Sequence, residues 1–307
     1  MSADSYGDVT GEYQALREQA GVVEGCHELV RVTGPDAETF LDSLLSQDLA
    51  GLAEGAVVRS LLLGPRGKLR ALLWVSRVGD EFLLVCDAGL AATVAGDLAR
   101  FKLRVDVTIG EPEPVVDLIG PAADGILDGM ATDPADKDRV VIAAPLGVLH
   151  RQFLIGVPAN DPAAAGAVRA GLLAYTAVRV EQGEPVMGTD VDESTIPQEA
   201  GVVAEAVSFS KGCYLGQELV ARIDSRGHVN RHLRGVVLTE NALPPTGAEI
   251  VADDQAVGAI TSPSESLLVG APIGLSLIRR EVEPGAAVQV RWPGGSAEAE
   301  VRRLPLV

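Results

Sequence analysis

Only three cysteines, Cys26, Cys86 and Cys213, occur in this chain of 307 residues, and they stand far apart. That number and scatter exclude a disulfide framework, and three thiolates cannot complete a four-thiolate iron–sulfur site within one chain. Basic residues are also scarce: 25 Lys and Arg face 43 Asp and Glu, for a formal net charge of -18. A broad nucleic-acid or anionic-membrane surface needs the opposite excess, although a local basic patch around a small anion remains compatible with this charge. No apolar run is long enough to span a bilayer, and no charged segment followed by an apolar one opens the chain. The expectation is therefore a soluble, cytoplasmic protein with no membrane partner. Common catalytic signatures are missing too: there is no GxSxG elbow, no GxGxxG turn and no paired CxxC.

What remains is a globular composition, 47% hydrophobic, over a length that suits two or three domains. Tyr13, Leu16 and Ala20 share a helical face, and Glu28 to Thr33 alternates as a strand. Phe40, Leu41, Leu44 and Leu45 give the next helix its buried side. Val57 to Leu63, Leu69 to Arg77 and Glu81 to Cys86 read as strands, and Ala88 to Phe101 as a helix capped by Asp87. This rhythm suggests α+β organisation rather than a regular βαβ array. Further strands are expected at Val115 to Ile119, Val140 to Ala144 and Arg151 to Val157. An Ala-rich helix is expected from Ala163 to Ala174, then a strand ending near Gln182. From residue 236 the character changes to six short strands separated by Pro, Gly and Asp turns, the pattern of a small barrel. The chain therefore divides into a body, 1–235, and a C-terminal domain, 236–307.

The densest chemistry lies in Lys211-Gly212-Cys213-Tyr214-Leu215-Gly216-Gln217-Glu218, continuing to Arg222. Leu215, Leu219 and Ile223 recur at a spacing of four, so the run enters a helix at Gly216. Cys213 then sits just before a helix N-terminus and two residues from Lys211, and both would favour the thiolate. A structural cysteine at a tight turn is the competing reading.

Other candidates are weaker. His228 and His232 have i,i+4 spacing, but no HExxH order accompanies them, and a loop is expected there instead of a metal site. Asp190-Val191-Asp192-Glu193 resembles half of a Ca²⁺ loop, but the glycine and terminal glutamate of that motif are misplaced, which leaves a solvated loop or a lid. Gly64-Pro65-Arg66-Gly67 reads as a hairpin turn and not as a phosphate loop. Glu181, at the end of its expected strand, either faces a pocket or pairs with Arg179.

The Lys211–Arg222 run resembles the signature of the YgfZ family of folate-binding proteins, which belong with the glycine-cleavage T-protein, an aminomethyltransferase, in one superfamily. The resemblance extends from about residue 15 to the end. Val30 to Ala37, Gln47-Asp48-Leu49, Arg179 to Gly183, Gly188-Thr189-Asp190, Pro197 to Ala200, Val257 to Ser262 and Gly274 to Ile278 occur in the superfamily's order. It implies a T-protein-like ring of two interleaved ferredoxin-like domains plus a C-terminal six-stranded β-barrel, around a channel for tetrahydrofolate. It also implies that Glu181 holds the pteridine ring, where a carboxylate suits adjacent N–H donors. Tyr214, Gln217, Glu218 and Arg222 join it as folate contacts, with Arg222 or Arg231 placed for the glutamyl carboxylates.

One departure matters for chemistry. The aminomethyltransferases carry a catalytic aspartate in a Gly-x-x-Asp-Asp-Leu run, and here Arg70 and Ala71 stand in that stretch. Without the acid, proton handling during one-carbon transfer lacks its expected group. The resemblance thus implies a tetrahydrofolate-binding accessory protein for iron–sulfur cluster assembly or repair, with client enzymes as partners. Cys213 would be its reactive thiol, held as thiolate by Lys211. The alternative is a folate-dependent aminomethyltransferase or methyltransferase.

Overall fold

Two sheets organise residues 3–130 and 139–307, the residues described by this computed structural model. Helix α1 (Val9–Glu18) leads into β1 (Gly21–Thr33), the long central strand of the first sheet. Helix α2 (Ala37–Leu44), the run β2 (Val57–Leu63), β3 (Leu69–Val78) and β4 (Glu81–Asp87), and helix α3 (Ala91–Ala99) complete a first α+β unit. A second unit contains β5 (Thr108–Ile109), β6 (Glu113–Ile119), α4 (Ala123–Gly129), β7 (Val140–Ala143) and β8 (Arg151–Ile155). It ends with α5 (Asn160–Ala164), β9 (Val168–Arg169) and α6 (Leu172–Gln182).

The spatial order is β2-β3-β4-β1-β6-β8-β7, with β5 and β9 also pairing β1. The two units share β1: His27 to Thr33 pair with β4, while residues from Gly21 to Leu29 pair with β6. This shared strand is what interleaves them. The apolar positions Ala37, Phe40, Leu41 and Leu44 of α2 fall at helical spacing and are buried with Val94 and Leu98 of α3 against β1, β3 and β4. Each such large side chain contributes about 1.5–3 kcal/mol by leaving water.

Three short helices, α7 (Pro197–Ala200), α8 (Val203–Ala206) and α9 (Gln217–Arg226), follow α6. They seal the other face of the β2–β3 hairpin, where Leu61, Leu63, Leu69 and Leu72 meet Ala200, Val202, Ala206 and Val220.

The second sheet holds β10 (Arg231–Leu238), β11 (Glu249–Ala252), β12 (Gln255–Ala259), β13 (Ser262–Ser266), β14 (Ala271–Arg279), β15 (Ala287–Trp292) and β16 (Gly295–Arg302). Their order is β12-β11-β15-β16-β10-β14-β13. The sheet curls until β12 meets β14: a Cβ on Gly258 would lie 2.8 Å from Ser276 Oγ. All six expected strands are present, and β13 is a further one. Its sequence, Ser-Pro-Ser-Glu-Ser, has no apolar alternation because its inward positions, Ser262, Ser264 and Ser266, are buried serines.

Several local expectations change. The Ala-rich segment is not one helix: Gly166, at φ +109°, ends α5, and β9 then pairs in parallel with β1 before α6 begins. Glu181 lies on that helix and not on a strand. The Ala174, Ala177, Val178 and Glu181 side chains share a buried face at helical spacing, and Gly183, at φ +75°, closes the last turn. Asp87 does not cap α3; it accepts from the Met187 backbone N–H at 2.9 Å. His228 lies in a loop and His232 on β10, so no helix face unites them.

Candidate functional site

A cavity of about 780 Å³ opens between α1, α6, β13 and a kink in β1. Its size falls within the usual range for small-molecule sites. The kink is a β-bulge: the β1–β6 register shifts between Glu24 and His27, and Gly25 adopts φ +74°. The two extra residues, Gly25 and Cys26, bulge out of the ladder and line the cavity wall. Helix α6 supplies most of one wall, including Leu172, Leu173, Thr176 and Arg179, and α1 adds Val9, Thr10 and Tyr13. The C-terminal domain closes the remaining side with Thr261 to Glu265 and Leu267.

Charged groups beneath the cavity are tightly partnered. Buried Arg179 donates to Asp190 Oδ2 at 2.7 Å, to the Glu184 carbonyl at 3.0 Å and to Ser262 Oγ at 2.6 Å. Asp190 Oδ1 accepts from Thr261 and Ser262. The loop expected to be solvated or a lid therefore anchors the C-terminal domain through Asp190, while Asp192 caps Ser194 and Thr195. Further in, Arg151 forms a two-pronged pair with Glu184 at 2.8 and 3.2 Å and lies over the Trp74 and Phe153 rings. Burial opposes ionisation of Glu184, but Arg151 and Arg59 outweigh it and hold its carboxyl below the usual range. Asp87, beside the cavity residue Ala88, is pushed up to about 6 by burial, with His27 acting in the opposite direction. Burial, then Asp117, pushes the Cys26 thiol well up, and burial does the same to the Tyr175 hydroxyl. Both groups stay protonated at neutral pH.

Glu181 is wholly buried and does not line this cavity. Tyr13 and Ser266 donate to its Oε1, Tyr13 at 2.6 Å, and Arg17 pairs with its Oε2. Its ion-pair partner is Arg17, since Arg179 is committed to Asp190. The carboxylate thus pins α1 and β13 to α6, and Tyr13 stands between it and the cavity.

The Lys211–Arg222 run is assembled elsewhere. Lys211 Nζ is buried and donates to Asp42 Oδ1, the Asp42 carbonyl, the Leu45 carbonyl and the Gln47 carbonyl at 2.6–3.2 Å. Its charge is directed at the C-terminal end of α2. Cys213 is exposed on the same loop. Tyr214 is packed in the hairpin core, its hydroxyl unpartnered and pushed up to about 12 by burial. Gln217 opens α9, and Glu218 pairs with Arg222 on its exposed side. None of these residues lines the large cavity. Ala71, where the superfamily acid was expected, lies fully buried in the apolar core, and Arg70 pairs with Asp97 and Glu193.

A second cavity, about 480 Å³, lies behind Thr189 and Thr261, which both cavities share. Arg231 and Arg279 line it, and Arg231 already grips both oxygens of Glu199 at 3.2 Å.

This arrangement has relatives. Residues 3–143 match the GCVT N-terminal domain, and residues 231–307 match the glycine cleavage T-protein C-terminal barrel domain. Both domains in order place the chain in the glycine-cleavage T-protein superfamily. The aminomethyltransferase of Rubrobacter xylanophilus is 28% identical over 93% of this chain and 83% of its own length. That of Thermotoga petrophila is 27% identical over 98% of this chain and 90% of its own. The crystal structure of glycine cleavage system aminomethyltransferase T from Bartonella henselae has the same fold, with a TM-score of 0.89 at 21% identity. That likeness covers 100% of this chain and 91% of the other.

Proposed function

We propose that this protein binds a reduced folate, tetrahydrofolate or a one-carbon derivative, in the 780 Å³ cavity. The observation that carries the reading is the position of that cavity, walled by both α+β units and the barrel domain of a T-protein fold. Leu172, Leu173 and Leu267 offer apolar contact, and Tyr13, Thr176 and Ser264 offer hydroxyls to ring N–H and carbonyl groups. Glu181 fits a pterin contact only if Tyr13 gives up its bond, so Tyr13, which lines the cavity, is the group this chain presents first.

The shared name of the relatives favours folate-dependent aminomethyl transfer as the use of that ligand. A second reading, folate-linked support of iron–sulfur enzymes, is favoured by two observations. Arg70 and Ala71 stand in the stretch where the acid is expected, and Cys213 stands exposed on an anchored loop. Calorimetric titration of tetrahydrofolate into wild type and Thr176→Phe tests the site. Wild type should bind, and the bulky ring should abolish binding while the thermal transition stays intact. A wild type that binds no folate ends the proposal. Formation of methylene-tetrahydrofolate from a one-carbon donor then supports the transferase reading. Lowered iron–sulfur enzyme activities in cells carrying Cys213→Ala support the second.

A further inference from the structure

A separate cavity of about 350 Å³ lies between Gly183 at the end of α6, Ala200 and Gly201 after α7, and the two chain segments that carry Arg234 and Arg303. On β10 and β16 the register pairs Val236 with Val301 and Gly235 with Arg302. Continued by one residue, it sets Arg234 opposite Arg303. Like charges directly opposite one another destabilise a sheet, and a carboxylate normally relieves them. Here neither arginine belongs to an ion pair among the described residues. Arg234 donates only to the Leu233 carbonyl, and its buried Nε has no partner. Burial, reinforced by Arg303 and opposed by Glu283, holds the Arg234 guanidinium below its usual range. Arg303 is exposed to solvent, Arg234 is partly buried, and neither is held in a direct ion pair among the described residues of a chain of net charge -18.

We infer that this cavity is a binding site for a phosphoryl group, either free phosphate or a small phosphate monoester, held between Arg234 and Arg303. A guanidinium presents N–H donors in a fork that matches phosphate oxygens. Two forks, one from β10 and one from the residue after β16, suit a dianion with several terminal oxygens better than one planar carboxylate. The unpartnered Nε of Arg234 supplies a donor already stripped of water, so the anion satisfies a group that is otherwise orphaned. Glu283 is the neighbouring carboxylate and lowers affinity for an anion. The site is distinct from the folate cavity and does not depend on that reading.

Calorimetry with inorganic phosphate and with glycerol phosphate, at ionic strength fixed by chloride, tests the proposal. Wild type should bind at least one of them saturably. Arg234→Gln and Arg303→Gln should each weaken binding tenfold or more, Glu283→Gln should tighten it, and Arg279→Gln, in the other cavity, should leave it unchanged. Tighter binding of the ester assigns the site to a phosphorylated metabolite, and equal or weaker binding assigns it to free phosphate. No saturable binding of either compound by wild type overturns the inference. So does binding that survives both arginine substitutions in proteins that unfold at the wild-type temperature.

Discussion

Gly67, in the β2–β3 turn, and Gly216, which leads into α9, lie in backbone contact. A Cβ on Gly216 would sit 3.1 Å from Gly67 Cα and 2.8 Å from the Gly64 carbonyl oxygen, and one on Gly67 would sit 2.8 Å from Leu219 Cβ. Both residues also adopt positive φ, +65° and +82°. Gly216→Ala should therefore destabilise the protein by about 1–3 kcal/mol, with backbone strain and overpacking acting together. The same change at Gly67 should cost a similar amount. The double variant should lose less than the sum, since the first substitution already separates the two segments. Urea denaturation of the three proteins measures this, and strict additivity would contradict the contact.

Replacing Glu181 with alanine leaves the Arg17 cation and two hydroxyls facing a hole. The expected loss is about 3–5 kcal/mol, the range for breaking a buried pair. Glu181→Gln keeps one acceptor and should lose less. Thermal unfolding followed by circular dichroism distinguishes them. A Glu181→Ala protein as stable as wild type would show that this clasp carries no folding energy.

Asp87 gives a pH dependence. Its carboxyl rises from 3.8 to about 6 on folding because burial disfavours the charge. The stabilising contribution of its protonated form is complete below the unfolded value near 3.8 and is lost as pH rises through about 6. At neutral pH that corresponds to about 3 kcal/mol. Asp87→Asn can still accept from Met187, so it should be the more stable protein above pH 6 and should match wild type near pH 4. Denaturation curves taken across pH 4–8 would refute this if the two proteins stay parallel.

The three thiols should differ in reactivity. Cys213 is exposed, Cys86 is buried and Cys26 sits at the cavity wall with its thiol held protonated. A thiol-specific reagent should modify one cysteine rapidly in the native protein and all three after denaturation. Cys213→Ala should remove the fast phase and change stability by less than about 0.5 kcal/mol. A fast phase that persists in Cys213→Ala would assign it to another residue.

Periodic apolar residues made α1, α2 and the barrel strands readable from sequence, because burial of one face leaves a repeating pattern. Strand β13 was not readable in that way: its inward residues are serines whose partners, Glu181 and Arg179, lie far away in the chain. Glu181 was expected to face a pocket or to pair with Arg179, and it instead lies buried against Tyr13, Ser266 and Arg17. Its partner Arg17 was missed, since an arginine on a short amphipathic helix looks like a surface residue until the fold closes over it. Lys211 had its contacts hidden by distance in the chain. Its nearness in sequence to Cys213 suggested an electrostatic partner, but a long side chain can reach back to α2, and it does. Cys26 lay before the strand expected at Glu28 to Thr33, so its place in a bulge of the longer β1 was not legible.

Helix α6 lines the larger cavity and, through Glu181 and Arg179, also holds Ser266 and Ser262 of the barrel, with Arg179 taking part in both. Occupancy and domain attachment therefore draw on the same piece of backbone. A compound that seats against α6 restrains the attachment point of the last 77 residues, 231–307. Conversely, a chain cut before β10 loses one side of the cavity along with the barrel. The barrel is thus a structural precondition for a ligand that most of its own strands never approach.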